Sequence, residues 1–143
     1  MTTTKKDTEA SSKPKYKYIR EFEIRASVKI LFPYLSTAAG LAEWLAEDVS
    51  LDADKRFNFV WDGESHIAKM TSMKSNGHVK FEFLPISEVD KKSPSYLEFK
   101  LDHNEITDAS YLKVIDFSEI DDKEELDVLW EQLIDSLKEK VGG

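Results

Sequence analysis

The chain has 143 residues, none of them cysteine, with 28 acidic and 20 basic side chains and a formal net charge of -8. Disulfides, thiolate metal ligands and thiol nucleophiles are thereby excluded, and a field of that sign disfavours phosphate backbones and anionic membrane surfaces. Hydrophobic residues make up 41% and aromatics 11%, the composition of one globular domain able to bury a core without staples.

Residues 1–15 (MTTTKKDTEASSKPK) hold no large apolar side chain after Met1. A flexible tail is expected there, with no secretory signal, ahead of a domain over residues 16–143. No apolar run approaches the ~18 residues that cross a bilayer, and the absence of cysteine fits a reducing, cytoplasmic setting. From Tyr16 to Ala26 apolar and charged residues alternate, the pattern of a half-buried strand. Ser27 can cap a short helix over Val28–Leu35. Pro33 removes one backbone donor inside it and predicts a kink or an early end. Ser36 or Thr37 caps a second short helix, Ala38–Glu47, with Leu41, Trp44 and Leu45 on one face.

After Val49 the period becomes two. Phe57, Phe59 and Trp61 share one face, and Asp62-Gly63 marks a hairpin turn into a return strand over Ser65–Lys74. Asn76-Gly77 marks a second turn of the same kind, before the alternating strand His78–Leu84. Ile86–Pro94 reads as a charged loop. Ser95–His103 and Ala109–Phe117 read as two further strands, the last apolar on both faces in part. The final segment, Asp121–Val141, places Leu126, Leu129, Trp130, Leu133, Leu137 and Val141 at steps of three and four. Acidic residues at its start, Lys138 and Lys140 near its end and Gly142 beyond it complete a long amphipathic helix. Consecutive hairpins followed by one long helix predict an α+β layer fold: a curved antiparallel sheet with the helix packed on one face.

The segments FEIRAS (Phe22–Ser27), YLSTAAGLAEWLAEDVSL (Tyr34–Leu51), FNFVWDG (Phe57–Gly63) and VLWEQLIDSLK (Val128–Lys138) resemble the helix-grip fold of the START-like (SRPBCC, or Bet v 1-like) superfamily. Within it they are most similar to bacterial START-like proteins related to activators of the heat-shock-protein-90 ATPase. The resemblance covers Tyr16–Val141. It implies the fold but not the task, because the superfamily includes lipid carriers, cyclases, hormone receptors, ring-hydroxylase subunits and co-chaperones. Pro33 departs from a regular first helix. The related co-chaperones also carry a second, chaperone-gripping domain that this sequence does not supply.

Chemical signatures are few. His66, His78 and His103 match no metal-ligand spacing, and a loose site of Asp62, Glu64 and His66 at a hairpin tip lacks a supporting shell. There is no GxSxG, and the glycines at 40, 63, 77, 142 and 143 form no phosphate loop. Glu21 and Glu23 read as a solvated strand face; Asp116, Glu119, Asp121 and Asp122 read as a capped helix start. The unusual feature is aromatic. Phe57, Phe59, Trp61, Phe81, Phe83, Phe99 and Trp130 converge between sheet and helix, either as packed core or, with Met70, Leu133 and Leu137, as the wall of an apolar cavity. Met70, His66 or Tyr111 would supply irregular filling or a polar anchor. The expected function is a non-catalytic module holding an apolar small molecule or lipid, with no metal, cofactor, nucleic acid or membrane insertion. The alternative is a protein-interaction or co-chaperone-like module that docks a basic partner through Trp44 and the acidic surface. A cyclase or hydrolase would require an inward titratable group with a perturbed pKa.

Overall fold

The computed structural model describes residues 14–143, so the expected tail lies outside the described residues except for Pro14 and Lys15. In chain order the elements are β1 (Tyr16–Ile24), α1 (Val28–Ser36), α2 (Ala38–Ala42), β2 (Asp48–Leu51), β3 (Phe57–Trp61) and β4 (Glu64–Lys74). There follow β5 (His78–Phe83), α3 (Glu88–Lys92), β6 (Tyr96–Asn104), β7 (Ala109–Ser118) and α4 (Lys123–Val141). All neighbouring strands are antiparallel, in the order β1-β7-β6-β5-β4-β3-β2. The meander β2 to β7 thus closes on β1, and α4 crosses the inner face as the helix-grip arrangement requires.

The local reasons are those of the sequence, with several differences. Asp62 and Gly63 both take positive φ, 52° and 76°, the pair of left-handed residues a two-residue hairpin needs. At the next hairpin only Asn76 does, at 59°. The turn there is longer, closed by the Gly77 amide donating to the Lys74 carbonyl at 2.8 Å. Helix α1 starts where Ser27 accepts from the Ile30 amide and runs through Pro33 to Ser36. The proline forgoes one hydrogen bond and does not end the helix.

Helix α2 stops at Ala42, five residues short of expectation. It abuts the end of α1 so closely that a Cβ on Gly40 would lie 2.1 Å from the Pro33 carbonyl oxygen. The chain then turns through Glu43–Glu47 so that the Trp44 indole can donate to the Tyr34 carbonyl, at 2.8 Å. The charged segment read as a loop contains α3, one short turn capped by the Ser87 side chain. Asp90 of that turn is paired with Lys15, which also donates to the Ser93 carbonyl at 2.6 Å. Lys15 therefore belongs to the folded unit rather than to the tail.

Helix α4 begins with Asp122, whose carboxylate accepts from the Glu125 amide, and ends at Gly142 in the left-handed conformation. Its buried stripe is Leu126, Trp130, Ile134 and Leu137. Ile134 was not in the expected stripe, and Leu129, which was, is 42% exposed. At 100° per residue the centre of the stripe falls between positions 130 and 137, which carries 134 inward and leaves 129 on the flank. The core joins this stripe to Leu31, Leu35, Leu41 and Leu45 and to the inner face of the sheet.

Candidate functional site: the interior between sheet and terminal helix

Strand register fixes which side chains look inward. Along β1 and β7 the even-numbered residues do: Tyr18 lies opposite Asp116, Arg20 opposite Val114 and Phe22 opposite Leu112. Along β6 and β5 the odd-numbered residues do, with Leu97 opposite Asp116 and Phe81, and Phe99 opposite Val114 and Val79. A bulge between Met70 and Ser72 shifts the register of β4 and leaves both Met70 and Met73 on the inner side.

The expected cavity residues do come together, and six of the ten fill the space they were expected to line. Phe57, Phe59, Phe81, Phe99, Trp130 and Leu137 are buried, while Trp61, Met70, Phe83 and Leu133 are half-buried. Phe57 meets Phe81 edge-on at 5.0 Å, Phe59 stacks on Trp61 at 5.2 Å, and Phe99 meets Trp130 at 6.1 Å between ring centroids. These are the offset and edge-to-face arrangements of packed aromatics. The buried rings therefore read as core, not as the wall of a void.

Trp44 is corrected outright. It is 5% exposed, sits 5.7 Å from Phe99 and 6.5 Å from Trp130, and its N–H is committed to Tyr34. Such a ring presents nothing to a partner. Tyr111 lies opposite Glu23 and Asp102 on the outer face, so it is no interior anchor. His66 is exposed at the rim with its ring 5.3 Å from Trp61. His78 bonds the Ser72 hydroxyl at 2.7 Å and His103 faces Asp108 at 3.6 Å. No three His, Asp or Glu side chains among the described residues group to hold a metal ion.

Two polar features went unread in the sequence. Asp116 does not belong to the helix start. It faces inward from β7, and its Oδ2 accepts from the Trp130 indole at 3.0 Å. Burial raises the carboxyl pKa above the ordinary aspartate range, and the indole bond opposes that rise. The signal was present: in ASYLKVIDF, Leu112, Val114 and Asp116 occupy successive inward positions. The second feature ties α4 to β1. The Tyr18 hydroxyl donates to Asp127 at 2.5 Å, while Arg20 reaches Asp127 at 3.3 Å and Glu131 at 2.8 Å. Burial, then the bond to Asp127, pushes the Tyr18 hydroxyl up to about 12. The Tyr18 hydrogen bond, then Lys123, holds the Asp127 carboxyl below its usual range.

The inner face is not sealed everywhere. With Asp127 and Glu131 on the flank of α4 that meets β1, Leu129 and Leu133 fall on the opposite flank, toward the far strands. Leu129 is 42% exposed and Leu133 half-buried. On the sheet side Met70 is half-buried, Leu51 is 52% exposed and Met73 is 54% exposed. These apolar side chains face inward yet keep contact with solvent.

An antiparallel sheet gripping a terminal helix over an aromatic interior defines a helix-grip protein. The model of the START-like superfamily domain matches residues 11–143, and the chain belongs to that superfamily, whose members are ligand-binding or polyketide-cyclase-like. A Bacteroides fragilis protein solved in solution is 31% identical, with 88% of this chain and 90% of that one covered and a TM-score of 0.59. The Aha1 dimer from Colwellia psychrerythraea is 18% identical over 88% of this chain and 96% of that one, with a TM-score of 0.69. CalU16 from Micromonospora echinospora is 16% identical over 85% and 71%, with a TM-score of 0.61. At those last two identities the likeness is one of fold. No curated protein sequence matches the chain significantly.

Proposed function

We propose that the chain is a non-catalytic binding module that takes an apolar small molecule or lipid between sheet and α4. The observation that carries this reading is the exposure of inward-directed apolar side chains: Leu129 and Leu133 on the flank of the helix away from β1, and Met70, Met73 and Leu51 on the inner side of the sheet, all keep contact with water, and we read them as the mouth of the site. Apolar residues aimed into an interior but left wet are an incomplete core, which a ligand would complete. Because the buried rings already touch one another, a ligand does not drop into a void. It displaces the half-buried Met70 and Leu133, and unbranched methionine is the side chain best suited to such repacking.

Native mass spectrometry of the gently purified protein tests this. The expected result is an apolar adduct on the wild type that is absent from Leu133→Arg, with unchanged circular dichroism. A wild type that carries no adduct, and whose Tm is unmoved by medium- and long-chain lipids, overturns the reading.

A further inference from the structure

We infer that Asp116 is the polar anchor of this site and selects ligands whose head group donates a hydrogen bond, a primary amine or a hydroxyl, over carboxylates; this rests on the apolar-ligand reading above. The register supplies the geometry. Met70 at the mouth lies opposite Phe81, Phe81 opposite Leu97, and Leu97 opposite Asp116. One inward row thus runs from the mouth across three strand intervals to the carboxylate. At a strand spacing of about 4.8 Å the row is about 14 Å long, the reach of a ten-carbon chain. Everything along it before Asp116 is apolar.

At its end Asp116 stands between the Tyr18 strand and α4, with Trp130 bonded to Oδ2. Oδ1 accepts no hydrogen bond among the described residues, while the Tyr18 hydroxyl is turned away to Asp127. Asp116 is part-buried, fixed through Oδ2, and its Oδ1 keeps contact with solvent, so one carboxylate oxygen is free to accept from an entering head group. Its chemistry toward a ligand is specific. It accepts from N–H or O–H, it gains charge pairing from an ammonium, and it repels a second carboxylate in a medium that screens poorly.

The test measures binding of decan-1-amine, decan-1-ol and decanoate by the change in tryptophan fluorescence, since Trp130 touches the anchor. Asp116→Asn keeps the shape and an oxygen for the indole bond, and the exposed Glu105→Gln changes the net charge by the same amount. The expected result is that the wild type and Glu105→Gln bind the amine and the alcohol at least tenfold more tightly than decanoate. Asp116→Asn should lose most of that preference. If Asp116→Asn binds the amine and alcohol as the wild type does, the anchor is wrong and the apolar-ligand reading stands. If Glu105→Gln weakens amine binding equally, bulk charge is responsible and the anchor is overturned. If none of the three probes binds the wild type, the apolar-ligand reading fails, and the anchor with it.

Discussion

Asp116 sets a pH dependence whose sign can be worked out. Its folded-state pKa is raised, chiefly by burial, so above the unfolded aspartate value the native state holds its proton more tightly than the unfolded chain does. Stability from this group therefore falls as pH rises through the window that begins near pH 4. Asp116→Asn is expected to raise the Tm at pH 7 and to give no gain below about pH 3.5, where the carboxyl is protonated in both states. Thermal melts at the two pH values check it, and an equal shift at both would remove the desolvated charge as the cause. Gly40 makes a second residue-scale case. A Cβ there would lie 2.1 Å from the Pro33 carbonyl oxygen, against backbone that cannot swing aside. Gly40→Ala is expected to cost about 1–3 kcal/mol in urea unfolding despite alanine's better helix propensity.

Among the elements, α4 is the one whose placement decides the architecture. Trp130 is 2% exposed and meets Phe99, Trp44 and Asp116. Trp130→Ala is expected to cost about 3–5 kcal/mol. Leu129→Ser, one position earlier and half in water, is expected to change stability by less than about 0.5 kcal/mol. Equal losses at the two positions in chemical denaturation would mean the helix is rotated from the face described. The helix itself was legible from its period, its acidic start and the glycine that stops it, although the cap is Asp122 rather than Ser118 or Asp121. So were the hairpins, from alternation and from turn residues. Three things were not. Ile134 is absent from the expected stripe, although a 100° step includes it. The early end of α2 depends on the contact of Gly40 with α1, which no local pattern encodes. Asp116 looked like one acid among several before a helix, and only the parity of β7 separates it from Asp122. The aromatic face was visible, but the sequence could not say whether seven rings enclose a space or occupy it; that depends on centroid distances.

At the scale of the whole molecule, α4 is held over β1 by two different means: the apolar stripe, and the pairing of Tyr18 and Arg20 with Asp127 and Glu131. The pairing with Tyr18 and Arg20 lies on the β1 flank. The other flank carries Leu129 and Leu133 and, near the end of the helix, Lys140 paired with Glu43 at 3.4 Å, so loosening of the first half of the helix opens that side and leaves the β1 side fastened. The two sides differ in what weakens them. High salt screens the partly exposed ion pairs of the fastened side, whereas the mouth responds to whatever competes for apolar surface.

The pairing of β1 with β7 has a consequence for how the chain comes to be folded. Tyr16 lies opposite Ser118, a loop closure across most of the sequence, while β2 to β6 are joined hairpin by hairpin. During synthesis the hairpins can assemble as they emerge, but the first strand has no neighbour until the last one leaves the ribosome. Acquisition of the native sheet is therefore governed by its longest-range pairing, and a nascent chain stopped before residue 109 would carry an unsatisfied strand at its beginning, available to other chains.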